Sequence, residues 1–453
     1  MDTFLGLWEI GTPKLYLIWF VVFAAQVIIA EINRRWLWTV MALWMVGGIA
    51  LMPYAAIHGT PMVGWFPFGK YVIMVSVSIL NGYLLWLGRN NPDKFHRNIL
   101  IIGFVSWLGV SANIMEANIR DITIYLQADV YNACAADWQC LKEINDTHIL
   151  DMINGLPESR GIEAPIHSDA WYQAVAANFA KTNVGIDPST GFRTIGGWWN
   201  IASAIAGCLN IITMTGFAKM TVTTNRKQKV KGLIWPDMIW PWVIAYDLWN
   251  HAFLYNALAD YTWYCTLALL LAATIPAFAW AKGQWLWFRC YTLMFWIAMN
   301  NIFPEYLISP AQNNFATMNP TANIICSMAA LIANIALLIY CIYVMAVKKR
   351  RPYTTGLFQD FKAYRTVVTE HCDDRDKYWL CDMIPETPKE LGFEPESNVP
   401  PANGFVSHLF WWGKEDKRYP KLRTPLSADP VLSARGIVSD TQWDTPAAKL
   451  NTK

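Results

Sequence analysis

Ionisable side chains inside long apolar segments are the residues of this sequence best placed to do chemistry. The stretch LIWPDMIWPWVIAYDLWNHAFLYNALAD, residues 233–260, sets Asp247 and His251 four residues apart, hence on one helix face, with Asn250 beside them. A carboxylate and an imidazole at that spacing can share a hydrogen bond that offsets part of the charge and orients the ring, and together they form a candidate acid and base. Two other apolar segments carry similar groups. Asn113, Glu116 and Arg120 follow one another at spacings of three and four, with Asp121 adjoining; Asn301 and Glu305 are four apart, next to Asn300 and Pro304. An ionisable group in hydrocarbon is costly, so each of these marks a candidate site.

The expectation is that Asp247, His251, Asn250, Glu116, Arg120, Asn301 and Glu305 line one polar substrate-binding cavity, with Pro236 and Pro241 kinking the helix to open it. The competing reading is that these groups tie helices together or sit in headgroup water near helix ends. Asn81, Asn323 and Asn334 read as single interhelical amides, and Glu31 as interfacial.

Such residues need a bundle to hold them. With 54% hydrophobic and only 15% charged residues over 453 positions, the chain is too apolar and too poor in charge for a soluble globular protein. A net charge of +2 supplies no basic field, which argues against a nucleic-acid partner. Apolar runs long enough to cross a bilayer lie at Pro13 to Ile32, Trp36 to Ile57, Trp65 to Leu87, Asn98 to Leu126, Trp198 to Met220, Leu233 to Leu258, Tyr261 to Ala281, Cys290 to Ile308 and Thr321 to Val347. The fold expected is an all-α polytopic bundle of about nine spans.

Orientation follows from basic residues. Arg34 and Arg35, then Arg89, Lys94 and Arg97, then Arg226, Lys227, Lys229 and Lys231, then Lys282 and Arg289, then Lys348 to Arg351 all fall on alternate connections. Basic connections face the cytoplasm, so the amino terminus is expected outside and the carboxyl terminus inside, in the inner (plasma) membrane. The chain then divides into spans one to four (1–126), an extracytoplasmic insertion or cap (127–196), spans five to nine (197–350) and a cytoplasmic Pro-rich tail (351–453). The tail's composition predicts partial disorder or wrapping on the cytoplasmic face rather than an independent packed domain.

Twenty-five Trp residues, including Trp36, Trp38, Trp65, Trp86, Trp198, Trp199, Trp263, Trp285 and Trp287 near the ends of apolar runs, read mostly as interface anchors. Nine Cys show no C-x-x-C pair and no Cys/His cluster, so no metal ligands are assigned. Cys134 and Cys140 share the insertion and are candidates for a disulfide, unpaired thiols being the alternative.

The stretch WPDMIWPWVIAYDLWN, with Trp235, Pro236, Asp237, Trp240, Pro241, Trp242, Tyr246, Asp247, Trp249 and Asn250, resembles a bacterial multi-pass membrane family of unknown function. The likeness extends from the first span to the ninth and leaves out the insertion and the tail. It implies the architecture and a prokaryotic origin, and transfers no catalytic residue. Other families lack their parts here. The last apolar run has Lys only at its exit, which excludes a retinal Schiff base, and His251 is the only deep histidine, which excludes paired haem ligation. No P-loop, dinucleotide fingerprint or H-E-x-x-H occurs.

The function expected is a membrane transporter or solute-binding permease with an outward-facing polar cavity, its partners the lipid bilayer and a small polar solute. Two alternatives stand beside it: a non-catalytic subunit or scaffold among the subunits of a larger membrane complex, and an intramembrane enzyme using Asp247 and His251. No cofactor is assigned, and the residues name none.

Overall fold

In the computed structural model the described residues are 13–59, 65–144, 153, 156–182, 184–188, 192–225, 228–259, 262–303, 319–372 and 380. They are mostly helical. The long helices are α1 (Pro13–Arg35), α2 (Trp38–His58) and α3 (Trp65–Asn90); a short α4 (Pro92–Arg97) then leads into α5 (Ile99–Leu126). The insertion holds α6 (Ala128–Ala136), α7 (Trp138–Glu143), α8 (Asp169–Phe179) and a hairpin of β1 (Gly185–Ile186) with β2 (Arg193–Thr194). After it come α9 (Trp198–Thr213), a second hairpin of β3 (Thr221–Val222) with β4 (Leu233–Ile234), and α10 (Trp240–Ala257). The remaining helices are α11 (Thr262–Ala279), α12 (Trp285–Ile302), α13 (Pro320–Lys348) and α14 (Lys362–His371).

Six of these helices, α1, α2, α3, α5, α11 and α13, are long and apolar enough to cross a membrane. Of the other three expected runs, the fifth and sixth are shorter as helices than as apolar sequence, and the eighth is helical from Trp285 to Ile302 within the described residues. The run from Trp198 stops being helical at Thr213, because Gly216 turns the chain with φ +67°; its 16 helical residues rise only ~24 Å. The sixth run begins as a strand, and α10 starts only at Trp240, where Pro241 occupies the first turn and loses no hydrogen bond. Pro236 and Pro241 therefore set the start of a helix instead of kinking one. Of the nine tryptophans read as anchors, Trp36, Trp38, Trp86 and Trp198 are exposed, whereas Trp199, Trp285 and Trp287 are buried. Burial of Trp287 is accompanied by an indole N–H donated to the Ala30 carbonyl (3.0 Å), which joins α12 to α1.

The long helices pack as two groups. In one, α12 lies against α3, α11 and α1, and α1 also lies on α11. In the other, α13 and α5 both pack on α9, and α10 packs on α9 and α13. A ladder of amides crosses the second group. The Asn210 amide donates to Asn334 Oδ1 (2.9 Å), Asn334 to the Ala245 carbonyl (3.1 Å), Asn323 to Asn256 Oδ1 (2.9 Å), and Asn256 to Ser327 Oγ (3.2 Å). Trp249 donates its indole N–H to Asn118 Oδ1 (3.2 Å), and Asn200 donates to the fully buried Asp121 (3.0 Å). Between apolar helices in lipid such bonds supply the pairing that hydrophobic burial alone does not. The outward faces are apolar: Ile332, Ile335, Ile339 and Ile342 of α13 are all exposed at spacings of three and four, a stripe suited to acyl chains and not to water.

The insertion has its own small core around Trp171, Tyr172, Phe179 and Ile186, seated on Trp199 of α9 and Ile324 of α13. Cys134 and Cys140 are joined in a disulfide. At the opposite end the connections interlock. Trp235 N–H donates to the Gly283 carbonyl (2.9 Å), and Arg89 donates to the carbonyls of Arg34 and Lys231. The segment following α13 folds back over these connections as far as α14, where Asn225 N–H donates to the His371 carbonyl (3.0 Å).

Candidate functional site

The helix period puts Asp247 and His251 on one face of α10, and α11 is what covers that face. The carboxylate of Asp247 accepts from Thr274 Oγ1 (2.7 Å), and His251 Nδ1 shares a hydrogen bond with Thr266 Oγ1 (2.7 Å). Each polar group is therefore held by its own threonine from the next helix, and no hydrogen bond joins the two. The His251 ring lies 5.0 Å from that of Trp263, a further α11 contact. Asn250 is buried beside them.

The other expected members lie elsewhere. Glu116 on α5 pairs with Lys70 on α3 at 2.7 Å, both partly exposed. Arg120, one turn further, reaches out of the bundle to Asp187 of the insertion (2.8 Å) and fastens the cap to α5. Asn301 is buried at the end of α12, where its amide donates to the carbonyls of Ile297 (2.8 Å) and Pro67 (3.3 Å). Glu305 lies outside the described residues. The six described residues are thus distributed among an α10–α11 contact, an ion pair, a cap tie and a helix-end tie, and among the described residues no single polar cavity collects them.

A cavity does open along the seam between the two helix groups. Although consecutive in the chain, α3 and α5 pack on different partners, α12 and α9, and between them lies a half-open cavity of about 670 Å³, several of whose wall residues are also exposed at the surface. Ile73, Val77, Leu80, Val105, Leu108 and Val110 make its walls; Tyr246 of α10 and Leu286, Arg289 and Leu293 of α12 make its back. The lining spans Gly69 to Leu84 on α3, a helical rise of about 22 Å. Lys70 and Glu116 mark one end and Arg289 lies toward the other. Among the described residues, none from the insertion lines it.

Arg289 is the residue whose role the sequence concealed. It follows Lys282 as if in a basic connection, but the structure puts it one turn inside α12, only 6% exposed. Its Nε donates to the Tyr246 hydroxyl (3.1 Å) and its guanidinium lies over the same ring, 5.6 Å from the centroid. One terminal nitrogen is buried without a partner among the described residues. Asp247 attracts it through space but does not reach ion-pair distance among the described residues. A second groove, of about 610 Å³, runs along α1 beside Trp280; its charged lining, Glu31 and Arg35, is already paired at 2.8 Å.

A different carboxylate organises the end of the molecule opposite the cap. Asp237, from the WPD stretch, lies outside α10 in the turn before it and is buried. Its Oδ2 accepts from Thr215 Oγ1 (2.7 Å) and from Leu357 N–H (2.9 Å), and its Oδ1 accepts from Phe358 N–H (3.4 Å). Gly216 and Gly356 flank it so closely that a Cβ on either would come within 2.6 and 2.8 Å of the carboxylate. Burial pushes the Asp237 carboxyl up to about 6, against the pull of those hydrogen bonds and of the Arg350 charge. Asp360 behaves oppositely: partial burial acts to raise its pKa, but hydrogen bonds from Arg350 and Lys348 hold it below the ordinary carboxylate range. Among the described residues no group of three or more His, Cys, Asp or Glu side chains is placed to hold a metal ion.

No curated protein and no solved structure matches the chain. A family profile does match, over a segment that differs from the expected likeness. It runs from the start of α8 into α14, so it includes part of the insertion and the beginning of the tail and leaves out α1 to α5. Arg289, Tyr246, Asp237 and the 357–358 backbone lie within it; Lys70 and Glu116 do not. Residues 168–370 of this chain are thus similar to the family described as a family of unknown function, DUF5692.

Proposed function

We propose that the protein is a nine-span membrane protein of the transporter or permease class, whose binding compartment is the seam cavity between α3 and α5. The basic connections then lie in the cytoplasm with the segment after α13, and the insertion caps the outer face; the alternation of Arg and Lys along the chain supports this orientation. The observation that carries the functional reading is the cavity itself. At about 670 Å³ it has the volume of a small-molecule site, and it separates two helix groups that pack on different partners. Its walls are aliphatic, so the solute is largely apolar, in place of the polar solute that the sequence suggested.

Gly109 provides the test. It lines the cavity, and a Cβ built on it meets nothing within 4 Å. Gly109→Trp should therefore fill the compartment without disturbing a packed neighbour. Protein purified in mild detergent should carry a solvent-extractable apolar compound that Gly109→Trp loses, and proteoliposomes should exchange that compound across the bilayer only with the wild-type chain. Equal retention and exchange by both proteins would remove the cavity from the function.

A further inference from the structure

Resting on the reading of the seam cavity as a binding compartment, we infer that its ligand is a single-chain lipid-soluble anion, a long-chain carboxylate whose head is held at Arg289. The inference starts from the unpartnered polar atoms of the lining. Among the described residues there are two, a terminal nitrogen of Arg289 and the amide nitrogen of Asn81; both are donors, and both residues are only 6% exposed. Their neighbourhood is shared. Asn81 lies one turn along α3 from Ser78, whose hydroxyl contacts the Cys290 thiol (3.8 Å), and Cys290 adjoins Arg289. Two buried donors, one of them charged, with no buried acceptor left over on the same lining, ask for an anion from outside the chain.

Shape narrows the anion. A guanidinium buried inside an apolar bundle is costly unless its charge is met, and among the described residues this one is met by a phenol and its ring and, through space and short of ion-pair distance, by the Asp247 carboxylate. One positive charge matches one negative charge, which suits a carboxylate. From Arg289 the cavity continues as a half-open aliphatic groove toward the Lys70 and Glu116 pair, over most of the ~22 Å of lined helix. That pair is already neutral at 2.7 Å, so the far end asks for no second head group. One polar end and one apolar length, in a cavity of about 670 Å³, describe a fatty-acid-like ligand, with a two-chain phospholipid as the alternative that the experiment separates.

The experiment compares oleate with methyl oleate, which has the same chain without the charge, on purified protein in uncharged detergent. Wild-type protein should bind oleate more tightly than the ester by roughly 10- to 100-fold, the range expected for a charge-assisted hydrogen-bonded pair. Arg289→Gln should bring oleate down to the affinity of the ester and leave the ester unchanged, and Arg289→Lys should restore part of the preference. Should Arg289→Gln fail to fold, the comparison of the two ligands on wild-type protein still decides. Equal binding of acid and ester, or an acid preference that survives Arg289→Gln, would overturn the anion while leaving the compartment standing. Binding of neither ligand, or binding unaffected by Gly109→Trp, would count against the compartment itself. Native mass spectrometry that finds a phospholipid at Arg289 and no displacement of it by oleate would overturn the single-chain carboxylate.

Discussion

Substitution at Asp237 tests whether one buried carboxylate holds the segment after α13 against the rest of the bundle. Asp237→Ala leaves the amides of Leu357 and Phe358 without an acceptor in a site closed by Gly216 and Gly356. Each unsatisfied buried donor costs ~1–3 kcal/mol, so the fold-back of residues 350–361 should weaken by ~2–6 kcal/mol. Part of this is offset over the whole molecule, because the carboxylate is itself strained by burial. Its pKa rises from an ordinary 3.8 to about 6, an elevation of about two pH units worth ~3 kcal/mol that is relieved when the charge is removed.

Asp237→Asn should be mild by comparison. An amide oxygen at the Oδ2 position keeps the two short bonds, from Thr215 (2.7 Å) and Leu357 (2.9 Å), and forfeits only the long one from Phe358 (3.4 Å). The pH dependence has a definite sign. A carboxyl with its folded pKa raised binds its proton more tightly folded than unfolded, so its contribution is fully present below 3.8 and is lost as pH rises through about 6. Wild-type stability should therefore fall between those values, and Asp237→Asn should lack that component. Amide hydrogen exchange of peptides covering 350–361, together with melting in detergent at pH 5 and pH 8, reads both effects. Unchanged protection of Leu357 and Phe358 in Asp237→Ala would refute the clamp.

Three other outcomes are expected. Asn334→Leu should lower the melting point by an amount equivalent to about 1 kcal/mol, since it strips the Asn210 amide of its acceptor and the Ala245 carbonyl of a donor; no change would mean that the amide ladder contributes nothing to helix association. Mass mapping of protein isolated without reductant should recover Cys134 and Cys140 as one linked peptide pair, and alkylation of both thiols would contradict the bond. In intact cells a cysteine introduced beyond Arg351 should resist a membrane-impermeant reagent while one in the insertion is labelled, and labelling of the tail would reverse the orientation.

Apolar length was legible because it is local: each of the six membrane-length helices lies within a run read from composition alone, give or take a few terminal residues. What a local pattern cannot hold is the identity of a neighbour. The four-residue spacing correctly put Asp247 and His251 on one face, yet their partners, Thr274 and Thr266, come from the next helix, and nothing in either segment encodes that pairing. Arg289 is the sharper case. Seven residues after Lys282 and just beyond Trp285 and Trp287, it has the surroundings of an interfacial cation, and by the rule that charges near span ends snorkel it belongs to the connection. Its burial comes instead with Tyr246 from α10, and it lines the cavity left where α3 and α5 part to pack on different helices. The same distinction separates Asp237 from the tail it holds. The WPD stretch was visible as a motif and residues 351–453 as a polar extension, but only the folded chain brings the carboxylate of one against the amides of Leu357 and Phe358, and it does so through two glycines whose missing Cβ atoms are what the approach requires.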